Sequence, residues 1–147
     1  MNKTKVLFLC TGNSARSQMA EAFLRFYGGD KYEAYSAGME PKGINPLTRQ
    51  VMSEIGVDIS GQESKGLKIY LGHVSFGYAI TVCNEAEEKC PRIFPGAGQR
   101  LHWDIEDPAK FTGTEEEKLK KFREIRDLLK QKVQDWLKNQ NLSSVNP

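Results

Sequence analysis

A cysteine and an arginine stand six positions apart in Cys10-Thr11-Gly12-Asn13-Ser14-Ala15-Arg16-Ser17, directly after the apolar run Val6 to Leu9. That spacing suits the capture of a tetrahedral oxyanion and its attack by sulfur. If the backbone between the two residues curls, its N–H groups point inward and join the N-terminus of a following helix in an anion nest. Gly12 eases the curl, and Arg16 offers a planar two-pronged donor that lysine does not reproduce. The same positive potential favours Cys10 as the attacking thiolate, with Ser17 placed to hydrogen-bond it. Thr11, Gly12, Asn13, Ser14, Ala15, Arg16 and Ser17 are therefore the expected oxyanion-binding residues. The leaving oxygen needs a proton donor, and Asp104, Glu106 and Asp107 supply carboxylates in a polar segment able to fold over the anion.

Two further cysteines, Cys83 and Cys90, flank a charged stretch. A free cysteine is often only a small buried hydrophobe. Here the charge around Cys90 argues for exposure, and a short rearranging loop between two thiols suits serial thiol–disulfide exchange. Their spacing is wider than a usual metal pair, and His73 and His102 stand in no ligand-like arrangement, so neither zinc nor any other metal is expected.

These residues need elements to position them. Lys5 to Cys10 reads as a buried parallel strand entering a loop. Met19, Phe23, Phe26 and Tyr27 recur at helical spacing and end at Gly28-Gly29. Tyr32 to Ala37 reads as a second strand, Asn45-Pro46 as the capped start of a helix ending at Gly56, and Phe76 to Val82 as a third strand. Arg100 to Trp103 is a weaker strand candidate. Thr114 and Glu117 form a capping box ahead of a long amphipathic helix carrying Leu119, Phe122, Ile125, Leu129, Val133 and Trp136. The alternation predicts an α/β three-layer sandwich: a central, mostly parallel four-stranded sheet with helices on both faces and the site at the carboxyl ends of the strands. One domain over residues 1–140 is expected, with 141–147 as a flexible tail.

Composition agrees with a packed enzyme. The chain has 147 residues, 39% hydrophobic and 27% charged, with a formal net charge of +2. That is enough apolar material for a core, and the near balance of charge gives no reason to expect nucleic acid or a membrane surface as a partner. The first apolar run is too short for a signal-peptide core or a membrane span, so a cytoplasmic protein is expected, by default a monomer.

The string Cys-Thr-Gly-Asn-Ser-Ala-Arg-Ser-Gln-Met-Ala-Glu resembles the opening of the low-molecular-weight tyrosine phosphatases and of the thioredoxin-coupled arsenate reductases that share their fold. Thr-Val-Cys-Asn-Glu-Ala-Glu-Glu-Lys-Cys-Pro, followed by His-Trp-Asp-Ile-Glu-Asp-Pro-Ala, resembles the reductase branch. Phosphatases of the fold tend to carry tyrosines beside the Asp-Pro pair and a second cysteine in the anion loop, where this chain has Ala15. The likeness runs from Lys5 to about Leu137, with its motifs in order.

The resemblance implies that Cys10 attacks arsenate held by the loop and Arg16 while Asp107 acts as the acid. It further implies a relay through Cys83 and Cys90, reset by thioredoxin or another dithiol, with no cofactor. The alternative is a phosphatase that hydrolyses phosphomonoesters through a phosphocysteine, with Cys83 and Cys90 incidental. A phosphocysteine carrier is a poorer match, because Asp107 would promote hydrolysis; an anion-binding redox module would show no turnover. Some relatives hold potassium through positions matching Asn13, Glu21, Ser36 and a further acid. That last position is Lys65 here, so no metal site is carried over. His102 and Trp103 are expected to serve packing and loop support.

Overall fold

The computed structural model describes residues 2–84 and 95–145. Strand β1, Thr4–Cys10, is buried from Val6 onward, as a run with apolar residues facing both ways requires. It pairs in parallel with β2, Tyr32–Gly38, on one side and with β3, Phe76–Thr81, on the other. Strand β4, Ala97–His102, adds in parallel to β3, giving the order β2-β1-β3-β4. All four described strands run the same way, so Cys10, Gly38, Thr81 and His102 end on one edge of the sheet.

Three α-helices serve one face: α1, Arg16–Gly28; α2, Pro46–Glu54; and α3, Glu115–Val145. Val6, Phe8 and Ile80 of the sheet meet Met19 and Phe23 of α1, Val51 and Met52 of α2, and Phe122, Leu129 and Val133 of α3 in one core. The alternate residues Leu7, Leu9 and Ala79 point to the opposite face, where Leu67, Tyr70 and Val74 cover them around the 3-10 turn Leu67–Ile69. Tyr35, Tyr70 and Phe76 lock this thinner layer edge to face, with centroids 5.3 to 5.7 Å apart. The expected three layers are present, with the described part of one of them built from a 3-10 turn.

Local chemistry explains the boundaries. Asn45 accepts from the Leu47 N–H at 2.9 Å with Pro46 at the first helical position, and α2 stops ahead of Gly56, whose φ of +75° few other residues adopt. Thr114 Oγ1 accepts from Glu117 N while Glu117 Oε1 accepts from Thr114 N, both at 3.1 Å, so the capping box forms as read. Two expectations shift. Strand β4 begins three residues before Arg100, because its residues are largely exposed at a sheet edge and show no apolar period. Helix α3 continues to Val145, so residues 141–145 of the expected tail are helical. No described helix is long and apolar enough to cross a membrane.

Candidate active site

Residues 11–15 curl between the end of β1 and the start of α1, and each carbonyl from Thr11 to Ser14 is held by a donor outside the curl. Thr11 O accepts from Glu40 N at 2.9 Å, Gly12 O from Lys42 N at 3.0 Å, and Ser14 O from both Asn45 N and Thr48 Oγ1 at 3.0 Å. Asn13 O accepts from Gln18 Nε2 at 3.1 Å. Carbonyls pinned outward leave the peptide N–H groups to the inner side, as Asn13 N pointing at Cys10 Sγ shows, and the N-terminus of α1 borders the same hollow. The loop takes the curl that the Cys10–Arg16 spacing predicts.

Asn13 is the keystone. Its φ of +47° lies in the left-handed region, which asparagine enters more readily than most residues. Its backbone N–H points at Cys10 Sγ, 3.2 Å away. Its side-chain amide donates to Ser17 Oγ at 2.8 Å and Ser36 Oγ at 3.0 Å, and its Oδ1 accepts from Gln18 Nε2 at 2.9 Å and Lys65 N at 2.7 Å. Ser17 Oγ in turn lies 2.8 Å from Cys10 Sγ. Cys10 is 2% exposed, and its sulfur sits where a backbone N–H and a hydroxyl can both donate to a thiolate. The close approach of β2 to the loop requires Gly38. A Cβ there would stand 2.8 Å from both Asn13 N and Thr11 O.

Behind Asn13, Ser36 donates to Glu21 Oε1 at 2.6 Å, and Glu21 is buried. Two cations serve this carboxylate: Arg25 pairs with Oε2, and Lys65 Nζ lies 3.8 Å from Oε1. Burial pushes the Lys65 ammonium below its ordinary value, and Glu21 pulls the other way. An ammonium at this point leaves these residues unsuited to a potassium ion. Among the described residues, no group of three His, Cys, Asp or Glu is arranged to hold a metal.

Arg16, 3% exposed, opens α1 and reaches across the hollow. Its Nη1 donates to Ile105 O at 3.0 Å, and Nη2 lies 3.5 Å from Asp107 Oδ2. Asp107 also caps the 3-10 turn Pro108–Lys110, its Oδ1 accepting from Ala109 N at 3.0 Å. The candidate anion-binding cation and the candidate acid are thereby already adjacent. Asp104 and Glu106 are exposed.

Cys83 follows β3 and is fully buried. Its Sγ lies 3.9 Å from the carbonyl oxygen of Leu9, the residue before Cys10, and its own carbonyl accepts from Ile105 N at 3.1 Å. Cys83 is disulfide-bonded while Cys10 is a free thiol. Cys90, expected as the third relay thiol, lies outside the described residues. Trp103 packs on Phe8 with centroids 5.9 Å apart, and His102 Nδ1 lies 2.6 Å from Thr81 Oγ1, both in support of the strand ends as expected. Sequence reasoning passed over Gln18, Gly38 and the Ile105 carbonyl. Of these, only Gly38, glycine at a strand end, carried a visible signal.

The similarities point the same way. An arsenate reductase of Shouchella clausii is 46% identical over 127 residues, covering 86% of this chain and 90% of that protein. A solved arsenate reductase in its phosphate-binding state superposes with a TM-score of 0.77 at 29% identity, covering 92% of this chain and 98% of the other. A thioredoxin-dependent arsenate reductase of Corynebacterium glutamicum gives 0.70 at 29% identity, with 96% of this chain matching 63% of that one. The family model described as low molecular weight phosphotyrosine protein phosphatase matches residues 5–145, and the chain belongs to that family.

Proposed function

We propose that this chain is an arsenate reductase that works through a Cys10–arsenic adduct and a relay of Cys10, Cys83 and Cys90. The observation that carries the reading is a second cysteine, Cys83, buried against the peptide that precedes the loop nucleophile, in a chain similar over most of its length to arsenate reductases. A phosphatase needs only the first cysteine.

The Cys10 thiolate attacks the arsenic of arsenate cradled by the inward N–H groups and Arg16. One arsenic–oxygen bond breaks, and the departing hydroxide takes a proton from Asp107 and leaves as water. Cys83, as thiolate, then attacks Cys10 sulfur. The sulfur–arsenic bond pair passes to arsenic, which falls from the +5 to the +3 state and leaves as arsenite, while a Cys10–Cys83 disulfide forms. Cys90 attacks Cys83 and frees Cys10, and thioredoxin or a similar dithiol reduces the resulting Cys83–Cys90 bond. The same nest accepts phosphate, so slow hydrolysis of phosphomonoesters accompanies the main activity. The reading includes one domain that α3 extends to Val145, working as a cytoplasmic monomer where thiols stay reduced.

The test is arsenite production with a thioredoxin recycling system for wild type, Cys10→Ser, Cys83→Ser and Cys90→Ser. Loss of turnover in all three supports the relay. Hydrolysis of an aryl phosphate that depends on Cys10 alone, with no arsenite, would show a phosphatase instead.

A further inference from the structure

The turn that bears Asp107 is gripped from two sides, and only one of them belongs to the anion site. On the inner side, Arg16 holds Ile105 O and faces Asp107. On the outer side, a single α3 side chain reaches both ends of the turn. Lys121 Nζ lies 3.2 Å from Glu106 Oε2, immediately before Asp107, and 5.2 Å from the centroid of the Phe111 ring, immediately after the turn Pro108–Lys110. Glu124 on the same helix, 3.5 Å from Nζ, steadies the ammonium. The hydrogen bond to Glu106 raises the lysine above its ordinary value, which keeps it charged through neutral pH.

The two grips differ in when they act. A guanidinium that spans two oxygens of a bound anion has fewer donors left for the Ile105 carbonyl and Asp107, so the inner tie slackens as substrate binds. The outer tie is made of Lys121, Glu106 and Phe111, none of them in the anion loop. A carboxylic acid must stay within hydrogen-bond reach of the leaving oxygen at that moment, and a displacement of about 1 Å is costly.

We propose that Lys121 is a positioning residue that holds the Asp107 turn over the anion loop through Glu106 and Phe111 while Arg16 is engaged with substrate. The proposal rests on the reading of Asp107 as the general acid. Exposed ion pairs and cation–π contacts are individually weak, so the expected effect is about three- to tenfold in rate.

Single-turnover arsenite formation by the full chain, with arsenate varied, separates the maximal rate from the half-saturating concentration. Lys121→Met is expected to lower the maximal rate by about three- to tenfold at unchanged half-saturation, because α3 and the anion loop keep their own packing. Lys121→Arg, which can still pair with Glu106 and stack on Phe111, should restore most of it. In an Asp107→Asn background, Lys121→Met should cost nothing more. An unchanged maximal rate, a rise in half-saturation alone, no rescue by arginine, or a full additional loss on Asp107→Asn would overturn the proposal. If Asp107→Asn itself leaves the rate intact, the acid assignment fails and the Lys121 role goes with it; a silent Lys121→Met beside a crippled Asp107→Asn rejects Lys121 alone.

Discussion

The anion loop and the acid-bearing segment face each other across one hollow, yet they are built on opposite principles. In the loop, Asn13 alone is held by its own side chain, by Gln18, by Ser36 and by the Lys65 backbone, and the outward carbonyls are satisfied one by one. The segment from Trp103 to Phe111 is tied to the end of β3 and the residues after it by Trp103 N to Thr81 O and Ile105 N to Cys83 O, meets the anion loop through Arg16, and is braced from α3 by Lys121. A nest that must stabilise a developing charge gains from donors that need no reorganisation. An acid that must approach a leaving oxygen, beside a cysteine that must itself move, gains from a lighter attachment. Substitutions in the first region should therefore disturb binding and chemistry together, and those in the second should disturb chemistry alone.

Asp107→Asn should give the largest separation of the two. Asparagine preserves the size of the side chain and can still accept the Ala109 N–H, but it has no proton to give. The maximal rate of arsenite formation should fall by about 10²- to 10⁴-fold with the half-saturating arsenate concentration little changed. A parallel weakening of arsenate binding would place Asp107 among the anion ligands and erase the contrast.

Gly38→Ala tests the rigid side. The new methyl would press on two backbone atoms of the loop, Asn13 N and Thr11 O, which have no side-chain freedom with which to yield. Overpacking of this kind costs about 1–3 kcal/mol of stability, read as a lower urea midpoint. The displaced Asn13 N–H should also weaken phosphate and arsenate binding along with the rate. Normal binding by a destabilised variant would show that the loop tolerates more movement than its hydrogen bonds suggest.

The two regions also differed in how far they could be read from sequence. Strand β1, the curl and α1 were legible because one local string encodes them: an apolar run, a glycine, and an arginine at the helix start. Their exact support was not legible. Gln18, Ser36, Lys65 and Gly38 reach Asn13 from α1, from β2 and from a segment more than 50 residues away, with Glu21 behind Ser36, and the pairing of Gly38 with Cys10 and with the Lys65–Gly66 segment brings them together. For the acid segment, Asp-Pro alone reads as a turn, and it took the resemblance to single out Asp107. Its attachment to Arg16 runs through the carbonyl of Ile105, and backbone atoms leave no trace in residue identity. Edge strand β4, exposed and glycine-containing, hid its start for the related reason that little of it faces a core.

The smallest effect should come from Lys65→Met, which removes one of the two cations on Glu21 while leaving the Lys65 backbone bond to Asn13 in place. Arg25 continues to serve the carboxylate, so arsenate binding should weaken only a few-fold, on the scale of a partly exposed ion pair. Stability against pH gives a sharper reading. Because burial holds the folded-state value of Lys65 below its ordinary 10.5, the folded chain gives up that proton before the unfolded chain does. Wild type should therefore gain stability relative to Lys65→Met as pH climbs toward 10.5, and the difference should be flat across the neutral range where both states keep the charge. The opposite slope would mean that Glu21 outweighs desolvation at this site. The ammonium would then be a strong brace for the loop, and the rigid region would owe its stiffness to charge as well as to hydrogen bonds.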